Sequence, residues 1–309
     1  MAQALDNARR YLEGARGLLE RRRTPVERYW TKHTVNSVPF KTPEASEEYL
    51  RWRFTEYPLF KELMALWGDH DGETILDYGC GPGDDLTGFL LYTRAAVVIG
   101  ADVSDRALKL AAGRVSLHGV DQSRYRFLRL SDAEPTLPLD DASIDYVNCA
   151  GVLQHTSHPD EILSELRRTL RPGGRGRVMV YNRDSVYFHL YTAYERMIVQ
   201  GTFAGMTTEE AFARNTDGPN CPISRCYRPG EFAELASGAG LSVEYRGGYF
   251  ARIELDLLES KRDTAIADVR LGPEHRDFLE TLTFDEAGFA NYAGNYAGIG
   301  GVYEIRRPA

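Results

Sequence analysis

Short apolar runs alternate with amphipathic segments through the middle of the chain. The strand-like runs lie at residues 74–79, 96–102, 125–130, 143–150 and 176–181. The helical patterns lie between them, at residues 84–93, 104–116 and 159–170. Strands that are apolar on both faces are typical of a parallel sheet covered by helices. The alternation therefore predicts an α/β fold with a doubly wound sheet.

The segments on either side of this region follow other patterns. Residues 2–23 have the period of an amphipathic helix that packs on the body or on a partner subunit. Strand-like runs at residues 241–245 and 302–306 complete the sheet, and a tandem near-repeat at residues 291–298 predicts a mobile loop near the pocket mouth. The predicted parts are an N-terminal helical lid (residues 1–70), a core (residues 71–182 and 229–309) and an inserted substrate cap (residues 183–228).

A glycine-rich stretch follows the first predicted strand, in the sequence Thr-Ile-Leu-Asp-Tyr-Gly-Cys-Gly-Pro-Gly-Asp-Asp. Gly79, Gly81 and Gly83 let the backbone turn sharply and approach a ligand closely. Their spacing is Gly-x-Gly-x-Gly, which lacks the third glycine of the dinucleotide fingerprint. Asp84 and Asp85 then fall at the start of the next helix, where a pyrophosphate would bind. The pattern therefore disfavours NAD or FAD and favours a cationic or zwitterionic ligand such as S-adenosylmethionine.

A second acidic signal ends the second predicted strand. Asp102 lies nineteen positions after Gly83, about where a carboxylate that binds ribose hydroxyls is found in such sheets. The alternative is that Asp102 only caps the helix that begins near Ser104.

Together these residues resemble the class I S-adenosylmethionine-dependent methyltransferases, and in particular the small-molecule branch with a methyltransferase type 11-like domain. The segments that carry the resemblance are Leu76–Gly83, Gly100–Ser104, Ser131–Ala133, Ser143–Val147 and Leu170–Gly174. The resemblance implies a Rossmann-like, doubly wound, seven-stranded sheet with an antiparallel last strand, and S-adenosyl-L-methionine as cofactor. It also implies that Asp132 binds the adenine amino group and that backbone near Cys149 and Ala150 faces the methionine end. The implied cofactor-binding residues are Asp77, Gly79, Cys80, Gly81, Gly83, Asp102, Val103, Asp132, Ala133 and Ala150.

Composition narrows the possible partners. The net charge of -8 over 309 residues argues against a nucleic-acid substrate held through its phosphates. No apolar run approaches the length of a membrane span. The four cysteines show no Cys-x-x-Cys pair, so we expect a reduced, cytoplasmic protein without a metal site. A homodimer formed through the N-terminal helix or the cap is a further expectation.

Candidate residues for the chemistry lie after the fourth strand and in the cap. His155 is the leading candidate for a base that deprotonates a hydroxyl acceptor, with His189 next. His155 has the alternative role of bracing its loop. Tyr187, Tyr191 and Tyr194 are candidates for the substrate wall or, alternatively, for the core. Arg225 either binds an anionic group of the substrate or pairs with a carboxylate of the cap. Candidate lid contacts are Tyr29, His33, Asn36 and Arg53.

The residues thus predict methyl transfer to oxygen or nitrogen of a small metabolite, such as a natural product or a sugar derivative. The fourth strand ends in Asn148-Cys149-Ala150-Gly151 and lacks the Asn/Asp-Pro-Pro-aromatic motif, which disfavours methylation of nucleobase amines. Two alternatives stay open. One is a non-catalytic, cofactor-binding regulatory or scaffold protein, and the other is a peptide or protein methyltransferase.

Overall fold

The computed structural model describes residues 23–309. The helix expected from Ala2 onward, and the dimer contact suggested for it, lie outside the described residues. Within residues 23–309, no helix combines the length and the apolar character that crossing a membrane requires.

A mixed sheet forms the centre of the molecule. Its strands are β1 (Thr74–Tyr78), β2 (Val97–Asp102), β3 (Tyr125–Arg129), β4 (Ile144–Ala150), β5 (Leu170–Asn182), β6 (Cys226–Tyr227), β7 (Ser242–Tyr249) and β11 (Gly300–Arg306). Seven of them run in the order β3-β2-β1-β4-β5-β11-β7, and the two-residue β6 pairs with the end of β5. β11 is antiparallel to both of its neighbours, whereas β1 to β5 pair in parallel. The predicted doubly wound, seven-stranded sheet with an antiparallel last strand is therefore confirmed.

Helices cover both faces of the sheet. They are α1 (Pro25–Lys32), α2 (Pro43–Glu56), α3 (Phe60–Leu63), α4 (Asp84–Tyr92), α5 (Asp105–Leu117), α6 (Pro159–Thr169), a π-helix (Tyr187–Val199), α7 (Thr208–Asp217), α8 (Pro229–Gly238), α9 (Arg252–Ala267) and α10 (Pro273–Thr281). One apolar cluster packs α6 and α8 against the sheet, and a second packs α3, α4 and the π-helix against it. A third cluster joins the π-helix to α9 and α10. Burial on both faces explains why β1, β2 and β4 are largely apolar.

The proposed cap, residues 183–228, contains the π-helix, α7 and β6. Tyr187, Tyr191 and Tyr194 have the spacing of one face of an α-helix, but they lie in a π-helix, whose wider turn changes which side chains share a face. Glu254 ties the start of this segment to the core, because its buried carboxylate accepts hydrogen bonds from the backbone N–H groups of Tyr187 (2.8 Å) and Ala251 (2.7 Å). Burial raises the pKa of Glu254 to about 8.

The prediction of a mobile loop over the near-repeat was wrong. The segment forms a small antiparallel sheet of β8 (Thr283–Phe284), β9 (Ala290–Tyr292) and β10 (Asn295–Tyr296). Ala293 and Gly294 connect β9 to β10 with φ angles of 49° and 81°. Two successive residues with positive φ favour the tight hairpin turn that matches the twist of the strands. The hairpin and α8 line a second cavity, which shares no lining residue with the cleft at the glycine loop.

Two helical glycines make a matched test of the packing around α4. A Cβ on Gly88 would lie 1.9 Å from an indole carbon of Trp67, whereas a Cβ on Gly113 of α5 would meet no atom within 4 Å. We expect Gly88→Ala to lower the free energy of unfolding by about 1–3 kcal/mol through overpacking. Gly113→Ala should raise it by up to about 1 kcal/mol through helix propensity. Denaturant unfolding measures both, and equal effects of the two substitutions would contradict the packing of Trp67 against α4.

Candidate active site

A cleft opens at the carboxyl ends of β1, β2 and β4, where ligands of doubly wound sheets bind. The glycine loop after β1 forms its floor, and α1 covers part of its mouth. Five carboxylates line it, against a single arginine among the described residues. These carboxylates are Asp77, Asp84, Asp85, Asp102 and Asp132. The excess of negative charge fits a cationic ligand.

The glycine loop needs residues without a side chain at each of its three glycines. Gly79, Gly81 and Gly83 have φ angles of 74°, 53° and 83°, which disfavour any residue with a Cβ. A Cβ on Gly79 would lie 2.2 Å from Cγ2 of Val152. A Cβ on Gly81 would meet no protein atom within 4 Å and would project into open space at the lining of the cleft. The loop therefore forms a cradle whose space a side chain would fill.

Asp102 links the glycine loop to the end of β2. Its Oδ2 accepts a hydrogen bond from the N–H of Gly81 (2.9 Å), and its Oδ1 accepts one from the N–H of Ser104 (2.7 Å). The cap of α5 is Ser104, whose hydroxyl oxygen accepts from the N–H of Ala107 (3.2 Å). The alternative that Asp102 is the cap of this helix is therefore wrong. Burial raises the pKa of Asp102, and the hydrogen bonds from Ser104 and Gly81 oppose that rise.

Asp84 and Asp85 begin α4 as the sequence predicts, but neither carboxylate is unpaired. Arg114 of α5 pairs with Asp84, and Arg53 of α2 pairs with Asp85 at 2.7 Å with both side chains largely buried. The argument that two free anions repel a pyrophosphate is thus corrected, because arginines offset both charges. What disfavours a phosphate ligand is the cleft as a whole, in which carboxylates outnumber the arginine.

Asp77 is the most unusual of these carboxylates. It lies 3% exposed on β1, and its Oδ1 accepts a hydrogen bond from the side-chain amide of Asn148 (2.8 Å). Its Oδ2 has no hydrogen-bond partner among the described residues. Burial and the nearby charge of Asp85 raise the pKa of Asp77 to about 8. A buried carboxylate oxygen without a partner at the floor of a cleft is a site for a cationic group of a ligand.

Asp132 follows β3 and is engaged by neighbouring segments. It accepts hydrogen bonds from the N–H (2.9 Å) and the hydroxyl (2.6 Å) of Ser157, and from the hydroxyl of Thr24 (3.2 Å). A carboxylate has about four acceptor positions, so capacity for a ligand donor remains. Its role toward adenine stays a prediction.

Helix α1 is fastened over the cleft. Buried Glu27 accepts hydrogen bonds from the hydroxyl of Ser131 and from the N–H of Asp132, both at 2.9 Å. Val26 and Trp30 of the same helix line the cleft. The sequence predicted a lid in this region but with Tyr29 and His33 as its contacts, instead of Val26 and Trp30, although a threonine cap followed by proline marks the start of the helix.

His155 lies on the wall of the cleft below Trp30, with a ring-centroid distance of 4.7 Å. Its Nδ1 lies 2.9 Å from the carbonyl oxygen of Ile223, so Nδ1 carries the proton and donates. Its Nε2 lies 3.6 Å from Oδ1 of Asp217. Burial lowers the pKa of His155, and the carboxylate of Asp217 opposes this. The ring is therefore neutral at pH 7, with its lone pair on Nε2.

The part of the chain that forms the cleft is similar to a known protein family. A family model described as "Methyltransferase domain" matches residues 69–217. Residues 69–217 are thus similar to a methyltransferase domain. They contain the glycine loop, the five carboxylates of the cleft and His155.

Two curated proteins are similar to part of the chain. An uncharacterized 37.1 kDa protein in transposon TN4556 of Streptomyces fradiae is 43% identical over 34% of this chain and 29% of its own length. A ubiquinone biosynthesis O-methyltransferase of Idiomarina loihiensis is 31% identical over 37% of this chain and 44% of its own length. The chain thus spans less than half of the length of these two relatives. The crystal structure of the YcgJ protein from Bacillus subtilis shares the fold, with a TM-score of 0.51 at 16% identity over 81% of this chain and 98% of that one.

Most residues expected to bind cofactor line the cleft at the glycine loop. Cys80, Val103 and Ala150 line it together with Gly79, Gly81 and the carboxylates described above. Gly83 lies behind the loop, where a Cβ would be 3.0 Å from Cβ of Ala111. Ala133 is exposed and lies outside the lining residues.

The expected residues of the cap do not reach the cleft. His189 is buried against α10, where its Nδ1 lies 2.9 Å from Nδ1 of His275 and its ring stacks on Phe278 at 4.0 Å. This placement contradicts a role for His189 as the base. A lone histidine in a helical stretch gives no local indication of which side it packs on.

The tyrosines and the arginine of the cap have structural contacts. Tyr187 and Tyr191 meet edge to face at 4.8 Å, and Tyr194 belongs to the third apolar cluster. Arg225 donates to the carbonyl oxygen of Thr156 (2.8 Å), so it holds the loop after His155 instead of lining the cleft. The expectation that these residues form the substrate wall is therefore corrected in favour of packing.

Among the candidate lid residues only Arg53 lines the cleft. Tyr29 donates to the carbonyl oxygen of Asp217 and stacks on His33 at 4.2 Å. The side-chain amide of Asn36 is buried and has no hydrogen-bond partner among the described residues. Tyr29 and His33 thus join α1 to the end of α7.

Proposed function

We propose that this protein transfers a methyl group from S-adenosyl-L-methionine to oxygen or nitrogen of a small metabolite. The observation that carries the proposal is the unpartnered, buried carboxylate oxygen of Asp77 in a cleft lined by five carboxylates. S-adenosylmethionine has a sulfonium and an ammonium and no phosphate, which suits this charge. The resemblance to a relative named as an O-methyltransferase supports an oxygen acceptor.

The residues of the cleft fit this cofactor. Asp102 would bind the two ribose hydroxyls, and Asp132 would accept from the adenine amino group. Asp77 would accept from the ammonium group, and the space at Gly81 admits the cofactor close to the backbone. The cofactor supplies an activated methyl group when it is bound.

The chain's own groups then act on the acceptor. Neutral His155 has its lone pair on Nε2, 3.6 Å from Oδ1 of Asp217, and this nitrogen would take the proton that a hydroxyl acceptor loses. Trp30 and Val26 line the cleft, where their apolar side chains would shield a bound acceptor from water. An acceptor that is already anionic would not need His155.

The direct test of methyl transfer is to incubate the protein with methyl-labelled cofactor and a metabolite extract. We expect label in the fraction that passes a small-pore filter. Label retained on protein would instead support a peptide or protein methyltransferase. Binding of the cofactor without any transfer would support the non-catalytic alternative and contradict the proposal.

The pH dependence of cofactor binding should reflect the ionisation of the Asp77 carboxyl group. Because burial and the charge of Asp85 raise its pKa to about 8, the Asp77 carboxyl group has to lose a proton when an ammonium ligand binds at lower pH. An ammonium ligand binds the carboxylate form, so the affinity for S-adenosylhomocysteine should rise with pH up to about 8 and then level off. Calorimetric titrations between about pH 6 and pH 9 measure this slope. Asp77→Asn, which has no titrating group, serves as the control, and an identical slope in this variant would contradict the assignment.

A further inference from the structure

Three possible metal ligands converge beside the cleft. They are His155 in the loop after β4, Asp217 at the end of α7 and Cys221 in the loop that follows. Their nitrogen, oxygen and sulfur atoms all lie within 4.8 Å of one another. Two of the ligands lie in the proposed cap and one in the core, so the group joins the two parts.

The hydrogen bond of His155 directs its free nitrogen into this group. Because Nδ1 donates to the carbonyl oxygen of Ile223, the Nε2 lone pair faces the carboxylate of Asp217 at 3.6 Å. Two electron-pair donors at that separation repel each other unless a positive centre lies between them. Metal-binding histidines commonly have this arrangement, with one nitrogen bonded to a backbone carbonyl and the other to the metal.

Hydrogen bonds also fix the orientation of the Asp217 carboxylate. Its Oδ1 accepts a hydrogen bond from the hydroxyl of Tyr181 (2.9 Å). Its Oδ2 accepts from the hydroxyls of Thr216 (2.8 Å) and Ser224 (2.6 Å). Such surrounding hydrogen bonds orient ligating carboxylates in metal sites.

The distance between ligand atoms and the types of donor atom both favour zinc. Tetrahedral zinc has bonds of about 2.0–2.3 Å to nitrogen, oxygen and sulfur, which places neighbouring ligand atoms about 3.3–3.7 Å apart. The distance of 3.6 Å between His155 and Asp217 falls in this range. A thiolate and an imidazole favour zinc over magnesium or calcium, which prefer oxygen ligands. We propose that His155, Asp217 and Cys221 bind a zinc ion.

Two consequences follow from a zinc ion at this position. Three protein ligands leave a fourth coordination position for water or for an acceptor oxygen, as in catalytic zinc sites. The ion also takes the Nε2 lone pair, so in the zinc-bound protein the metal would replace His155 as the group that promotes loss of the acceptor proton. This proposal departs from the expectation from sequence that the protein has no metal site, which was based on the absence of a ligand motif: His155, Asp217 and Cys221 have no such spacing in the chain.

The zinc content of the purified protein tests this proposal, and the measurement needs neither cofactor nor acceptor. The full chain is stripped with a chelator, dialysed against micromolar zinc sulfate and analysed by plasma mass spectrometry. We expect about one zinc per chain, and substitution by cobalt should give the absorption bands of a tetrahedral thiolate complex. Cys221→Ala and Asp217→Asn should weaken zinc binding by more than about tenfold.

Cys226→Ala is the matched control, since Cys226 lies in β6 and outside the ligand group. It should retain zinc like the unaltered protein. Absence of bound zinc, or equal zinc content in Cys221→Ala and Cys226→Ala, would overturn the proposal. Binding of S-adenosylhomocysteine is measured separately, so failure of the zinc site and failure of the methyltransferase proposal are distinguishable.

Discussion

Replacing Asp102 with alanine is expected to lower the affinity for S-adenosylhomocysteine by at least about 100-fold. Two charge-assisted hydrogen bonds to the ribose would be lost, each worth roughly 1.5–3 kcal/mol. The same change removes the bond that holds the N–H of Gly81, so the glycine loop also loses its anchor. Isothermal titration calorimetry measures the affinity directly.

Asp105→Ala is the control for this prediction. Asp105 is three residues away, pairs with Arg23 and Arg129, and does not line the cleft. It should leave the affinity within about threefold of the original, since surface ion pairs contribute little. Equal losses in the two variants, or an Asp102→Ala protein that binds normally, would show that the ribose site lies elsewhere.

Replacing His155 with alanine is expected to lower turnover by about 100-fold or more, with little change in cofactor affinity. The assay is run on chelator-treated protein, so that it reports the imidazole itself. Burial lowers the pKa of His155, so activity should persist on acidification until the pH is below the usual range of histidine.

His158→Ala is the matched control, because this neighbouring histidine is 41% exposed and pairs with Glu161 at the start of α6. It should leave turnover unchanged. A loss of less than about tenfold in His155→Ala would favour the bracing role, in which the ring only supports Trp30 and the loop.

The sheet was predictable because each of its central strands can be recognised from its own short stretch of sequence. The central parallel strands β1, β2 and β4 are covered on both faces and largely apolar, so each is visible as a run in the sequence. The π-helix at residues 187–199 was not predictable in this way, because its wider turn depends on packing against α7, α9 and α10. The hairpin at residues 290–296 was missed because its strands are only two or three residues long.

The residues of the site also differ in whether a spacing in the sequence relates them. Gly79, Gly81 and Asp102 lie at the ends of adjacent strands, so a fixed spacing in the chain reflects a fixed spacing in space. Trp30 and Asp217 reach the site from separate segments on either side of the core, and no sequence spacing relates them to His155. The pairing of Arg53 with Asp85 was hidden for the same reason.

The most direct test of the central claim is a pair of calorimetric titrations of the full chain, one with S-adenosylhomocysteine and one with NAD⁺. The carboxylate-lined cleft predicts that one S-adenosylhomocysteine binds per chain and that NAD⁺ gives no heat of binding. Saturable binding of NAD⁺, or no binding of S-adenosylhomocysteine at millimolar concentration, would contradict it.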